Sequence, residues 1–127
     1  MKQPETVGIE GIEGKFGRVL EARLQAKGYN VIGSDPKRQS GLSNIDVAKN
    51  ADVIVIAVDI FATADVIREI APFLRADQLL MDITSVKQMP CDLMLTAQSS
   101  VIGLHPMWSP VNSWNGQRLV VCPIRPG

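Results

Sequence analysis

Short apolar runs alternate along this chain with stretches whose apolar residues recur every three or four positions. That rhythm predicts strand–helix–strand units and a mostly parallel sheet. A first strand is expected over Thr6–Gly11, running into glycine-punctuated sequence and then a helix over Lys15–Lys27. In that helix Phe16, Val19, Leu20 and Leu24 share one face, with Arg18, Glu21 and Gln25 elsewhere. Gly28 is placed to end it, since glycine adopts the left-handed cap conformation freely.

Asn30–Ser34 reads as a second strand closed by Asp35-Pro36, and a short helix is expected near Ile45–Lys49. Val53–Val58 is apolar on both faces, as an interior parallel strand covered by helices should be. Thr63 is the expected cap of a third helix that carries Val66, Ile67, Ile70 and Phe73 inward. A fourth strand follows over Gln78–Ile83, then a helix begun near Pro90, a fifth strand over Ser100–Leu104 and a sixth over Leu119–Cys122. The fold class expected is α/β: a Rossmann-type doubly wound sheet of about six strands in the order 3-2-1-4-5-6. Right-handed crossovers put the functional edge at the carboxyl ends of the strands, so loops after the first, fourth and fifth strands share a rim.

The length of 127 residues allows one domain with a real core and is too short for two. Thirteen basic residues balance 13 acidic ones, so no global field draws the chain to nucleic acid or an anionic membrane. A local anion site built from backbone groups is still open to it. No apolar run reaches the ~20 residues of a membrane span, and the polar start lacks the apolar core of a signal peptide. Cys91 and Cys122 are isolated, which fits two free thiols in a reducing cytoplasm, and no metal is expected.

Gly11, Gly14 and Gly17 lie between the first strand and first helix. A dinucleotide fingerprint needs glycines there to turn tightly, approach a pyrophosphate and pack helix on strand, while the helix N-terminus offers N–H groups and a positive dipole end. Gly14 and Gly17 fit its second and third glycines. The strict spacing puts the first on Ile12, with Gly11 one residue early. Glu10 and Glu13 also stand near the anion position, which suits a phosphate only if their side chains point away. Without a ligand, the same glycines make a close-packed strand-to-helix turn.

Asp35 ends the second strand 21 positions after Gly14, where an acidic residue receives the ribose hydroxyls of NAD. It also serves as the start of a turn with Pro36. Lys37 and Arg38 leave room for a 2′-phosphate, so NAD is preferred and NADP stays open. His105, the one histidine, follows the fifth strand in Gly103-Leu104-His105-Pro106-Met107, and Ser85 follows the fourth in Thr84-Ser85-Val86-Lys87. Adjacent strands would bring both to one crevice. A neutral imidazole, of ordinary pKa about 6.5, takes the hydroxyl proton that must leave as a hydride leaves a carbinol carbon. A lone histidine more often simply fills a loop.

Gly14-Lys15-Phe16-Gly17, Thr84-Ser85-Val86-Lys87 and Gly103-Leu104-His105-Pro106-Met107-Trp108 together resemble the prephenate dehydrogenase family of tyrosine biosynthesis. The resemblance implies oxidative decarboxylation of prephenate to 4-hydroxyphenylpyruvate, with His105 as base and Ser85 orienting it. It implies a cofactor set of Gly11, Gly14, Lys15, Phe16, Gly17, Asp35 and Val58. Three departures stand out: Ile12 where glycine is frequent, Asp59 where proline is usual, and Ser109 and Val111 in place of glycine and aspartate.

The family continues into a helical domain that forms a dimer and supplies an arginine to the substrate carboxylates, so residues 1–127 are expected to be its dinucleotide-binding domain, inactive alone. Arogenate is an alternative substrate. A non-catalytic nucleotide-binding module or regulator is an alternative function. A β-hydroxyacid dehydrogenase is disfavoured by the His-Pro-Met loop, since that class is better known for a lysine base.

Overall fold

The computed structural model describes residues 5–35, 41–83, 88–106 and 119–125, of which 88, 89, 104–106 and 119–125 are described through their backbone. Six strands form one sheet: β1 (Thr6–Glu10), β2 (Asn30–Ser34), β3 (Val53–Ile56), β4 (Leu79–Asp82), β5 (Ser100–Pro106) and β6 (Leu119–Arg125). The first five pair in parallel, and β6 runs antiparallel to β5 with a register break between Val101 and Ile102. Among the described residues, four α-helices join them: α1 (Lys15–Ala26), α2 (Asn44–Asn50), α3 (Ile60–Ile70) and α4 (Gln88–Met94).

The α/β doubly wound class stands, but the strand order is β2-β1-β3-β4-β5-β6 and not 3-2-1-4-5-6. Two features drive the difference. All four residues of β3 are buried, so this strand needs neighbours on both sides and cannot lie at an edge beyond β2. Strand β2 begins at exposed Asn30 and tolerates the edge. Helix α2 has only seven residues and lies directly on β1, where a Cβ at Gly8 would come within 2.9 Å of Ala51 Cβ. It carries the chain back across β1 and delivers β3 to the far side. The winding therefore reverses between β1 and β3, and their carboxyl ends diverge there.

Alternation along the strands builds two cores. Val7, Val53 and Val55 pack towards Leu20 and Leu24 of α1. Ile54, Ile56, Leu80 and Val101 pack on the other face with Ala48, Val66, Ile67, Ile70 and Met94. The amino edge is closed by side chains acting on backbone. Gln78 is buried, donates to the Ala48 and Ala51 carbonyls at 2.6 and 2.8 Å, and accepts from Arg75 N at 2.6 Å. Asp52 accepts from the amides of Glu5 and Thr6 at 2.9 and 3.0 Å.

Two local expectations change. The cap of α3 is Asp59, whose carboxylate accepts from Phe61 N and Ala62 N at 2.9 and 3.0 Å. Thr63 lies one turn inside the helix, buried, and its hydroxyl donates back to the Asp59 carbonyl at 2.9 Å. A carboxylate four residues upstream outcompetes a hydroxyl for the same orphan amides. Phe73 is not inward: Pro72 tightens the chain into a 3-10 turn, Ala71–Phe73, and the Lys49 ammonium sits 5.0 Å from its ring centroid. Val66, Ile67 and Ile70 are buried as expected. Among the described residues, no helix is long and apolar enough to cross a membrane.

Candidate functional site

Where β1 and β3 part, the carboxyl edge opens into a cavity of about 610 Å³. Its floor and one side are the glycine loop: Gly11, Gly14, Lys15 and Phe16. Ser34, Asp35 and Asn44 make a polar wall from β2 and α2. Ala57, Val58, Asp59 and Ile60 follow β3 opposite, and Ala62, Val66 and Ile83 close the apolar end.

The loop from Gly11 to Gly17 spans seven residues, one more than the strict fingerprint spacing, and Gly11 is the glycine its backbone demands. Gly11 has φ of +90°, and a Cβ there would lie 2.8 Å from Val58 Cγ1 and 2.9 Å from the Ala57 carbonyl oxygen. Both the backbone angle and the crowding demand glycine. Gly17 is buried behind the loop, where α1 presses on the Gly11 carbonyl and the Ile12 backbone without room for a Cβ. It therefore supports the cavity without lining it. Ile12 is fully buried against Gly33 of β2, an extra residue whose side chain leaves the cavity for the core.

Three helix amino ends meet the cavity, and they differ: that of α2, at Asn44, is closed by the Ser43–Asp46 capping box. Helix α3 is capped by the Asp59 carboxylate, so its end is already satisfied by an anion of the chain's own. Helix α1 starts at Gly14 with no side-chain cap and no acid in its first turn. Its positive dipole end borders the cavity, with Lys15 beside it. An anionic ligand is favoured at α1 and disfavoured at α3.

The two acids flanking the loop do not oppose such an anion. Glu13 turns its carboxylate to Arg18, 3.4 Å away, while its amide donates to Asp35 Oδ2 at 3.1 Å. Asp35 thus ties the end of β2 to the glycine loop as well as lining the cavity. Glu10 is fully buried, and burial pushes its carboxyl up to about 8, so it stays protonated at neutral pH.

The sequence of residues 22–125 matches the family described as the prephenate dehydrogenase nucleotide-binding domain. The chain belongs to that family. A probable arogenate/prephenate dehydrogenase of Methanocaldococcus jannaschii is 36% identical over 120 residues, covering 83% of this chain and 27% of that protein. The T-protein of Haemophilus influenzae is 37% identical over 101 residues, covering 79% of this chain and 26% of that protein. The chain thus spans about a quarter of the length of these relatives. The prephenate dehydrogenase of A. aeolicus, solved with hydroxyphenyl propionate and NAD+, superposes with a TM-score of 0.78 at 17% identity, over 97% of this chain and 51% of that one. Arogenate dehydrogenase of Synechocystis gives 0.76 at 20% identity, over 93% of this chain and 50% of that one.

Of the residues singled out in the sequence, Gly11, Gly14, Lys15, Phe16, Asp35 and Val58 line the cavity, and Gly17 does not. Ser85 lies outside the described residues. His105 lies in β5, paired with Val120 of β6, and its side chain lies outside them. Ser34, Asn44, Asp59 and Ile83 also line the cavity and escaped the sequence reading. A signal for Asn44 existed: Ser43 and Asp46 form a reciprocal capping box, which fixes the start of α2 and puts Asn44 at the rim.

Proposed function

We propose that this chain is the NAD-binding domain of a prephenate or arogenate dehydrogenase and needs a further substrate-holding domain for turnover. The observation that carries the reading is the uncapped amino end of α1 over a glycine-lined cavity, beside an α3 whose own end is already capped. The residues fit the cofactor. Gly14 and the first turn of α1 would receive the pyrophosphate, with Lys15 adding positive charge, and Asp35 would accept the ribose hydroxyls and repel a 2′-phosphate. Val58 and Ile83 would pack against the flat, apolar parts of the ligand. Bound there, NAD supplies a hydride acceptor.

On this reading His105 is the base that takes the proton of the substrate hydroxyl, and Ser85 orients it. The proton must leave as the hydride does, which is why a neutral imidazole speeds the reaction. The substrate is a dicarboxylate if prephenate, and its acids need converging cations. Arg118 precedes β6 in the sequence and Arg125 is its last residue, paired with Val101 of β5, so the chain offers few such cations along this strand. An open crevice also screens such contacts in water. Turnover of prephenate by residues 1–127 alone is therefore expected to be negligible.

The test uses a longer form carrying the downstream region that such relatives possess. His105→Asn should keep NAD binding and lower turnover by roughly 10²–10⁴-fold, the usual worth of a positioned base. Wild-type turnover by that variant at neutral pH removes His105 from the mechanism.

A further inference from the structure

One chain of hydrogen bonds beside the cavity, running from buried Glu10 out to the surface, has its direction fixed by counting protons. Ser34 Oγ contacts Glu10 Oε2 on one side and Asn44 Oδ1, at 2.6 Å, on the other. Asn44 Nδ2 donates to Glu69 Oε1 at 2.7 Å. Glu69 is exposed, and its carboxylate accepts only, so the Asn44 amide must turn its nitrogen to Glu69 and its oxygen to Ser34. The Asn44 oxygen needs a proton from Ser34, whose hydroxyl has one. The second contact then needs a proton that only Glu10 can supply.

We propose that Glu10 is a positioning residue of the cofactor site: held as a carboxylic acid, it donates to Ser34 and sets the direction of the chain that fixes Ser34 and Asn44 in the cavity wall. Ser34 and Asn44 line the cavity, and Glu10 stands behind them. Strand pairing places Glu10 opposite Ser34 on β2 and Ile56 on β3. The consequence for cofactor binding rests on the proposed NAD-binding function, whereas the protonation of Glu10 does not.

The charged groups on the elements around Glu10 are Asp46 and Lys49 of α2, Asp65, Arg68 and Glu69 of α3 with its cap Asp59, Lys15, Arg18, Glu21 and Arg23 of α1, and Glu13 and Asp35 at the loop. Glu69 is the one that raises its carboxyl further, whereas a Ser34 hydroxyl turned to donate to the carboxylate would lower it. Burial is the largest cause, acts in the same direction as Glu69, and carries the titration to about 8. Glu10 Oε1 is buried without a hydrogen-bond partner among the described residues, so a charge on this group would be poorly solvated. Once ionised, Glu10 can only accept. Ser34 must then turn its proton to Glu10, and two bare oxygens face each other where Ser34 meets Asn44. The wall gives way at Asn44.

The experiment pairs two measurements on wild type, Glu10→Gln and Glu10→Leu. Carbon-13 NMR of glutamate carboxyls in the cofactor-free chain should show one group titrating near pH 8 in wild type and missing in Glu10→Gln. Calorimetric NAD+ affinity of wild type should weaken about tenfold from pH 7 to pH 9, the loss expected when binding needs one proton held near pH 8. Glu10→Gln, whose amide still donates to Ser34, should bind as wild type does at pH 7 and keep that affinity at pH 9. Glu10→Leu, which donates nothing, should bind weakly at both. No glutamate titrating above pH 7 overturns the protonation of Glu10. A pH loss that persists in Glu10→Gln overturns its positioning role. Absence of NAD+ binding in every form overturns the proposed function and the cofactor half of this inference, while the NMR titration still decides the proton.

Discussion

Glu10 stands at a strand position where alternation calls for an apolar side chain, and its neighbours explain how the fold tolerates it. The sequence shows an acid next to a phosphate-type loop, which reads as a defect. It cannot show that sheet pairing sets Ser34 beside that acid or that Asn44 completes the chain. The proton has a cost that follows from its sign. Unfolded, the carboxyl ionises above about 4.5, whereas folded it keeps its proton up to about 8. Native protein therefore binds more protons across that window, and stability falls as pH rises through it and levels off above. Glu10→Gln should remove this slope, and the gap from wild type should grow by about 1.4 kcal/mol per pH unit at most. Denaturant unfolding at pH 5, 7 and 9 measures it; parallel stabilities of the two proteins would show that Glu10 ionises freely in the fold.

The glycine loop and the strand order show what patterns can specify at the scale of elements. Strands β1 and β2, the start of α1 and the buried face of α3 follow from periodicity and turn residues, because each is set by local spacing. The loop geometry does not follow. A fixed spacing places a glycine at position 12, but the chain inserts a residue there and buries its side chain against Gly33. Ile12→Gly should accordingly fail to improve cofactor binding. It should destabilise the fold by about 2–5 kcal/mol, the range for deleting a large buried aliphatic side chain. Tighter NAD+ binding with unchanged stability would return position 12 to the ligand site. Strand order was legible in principle, since a run buried on both faces does not belong at an edge. The weight of the commoner six-strand order hid it. Where α2 seats on Gly8 is a tertiary fact, and no spacing in the sequence announces it.

At the scale of the whole molecule, one end of the sheet is stitched shut by Gln78 and Asp52 while the other parts between β1 and β3. The glycines, Asp35 and the family resemblance were readable because phosphate and ribose recognition depends on a few residue types at fixed offsets. The polar wall was not, because Ser34, Asn44 and Glu10 meet only through the sheet and α2. The central claim is that the uncapped end of α1 and this wall hold a dinucleotide. Calorimetric titration of the 127-residue chain with NAD+ and NADP+ at pH 7 tests it most directly. The account predicts one saturable site that takes NAD+ more tightly than NADP+. No binding of either at about millimolar cofactor would contradict it.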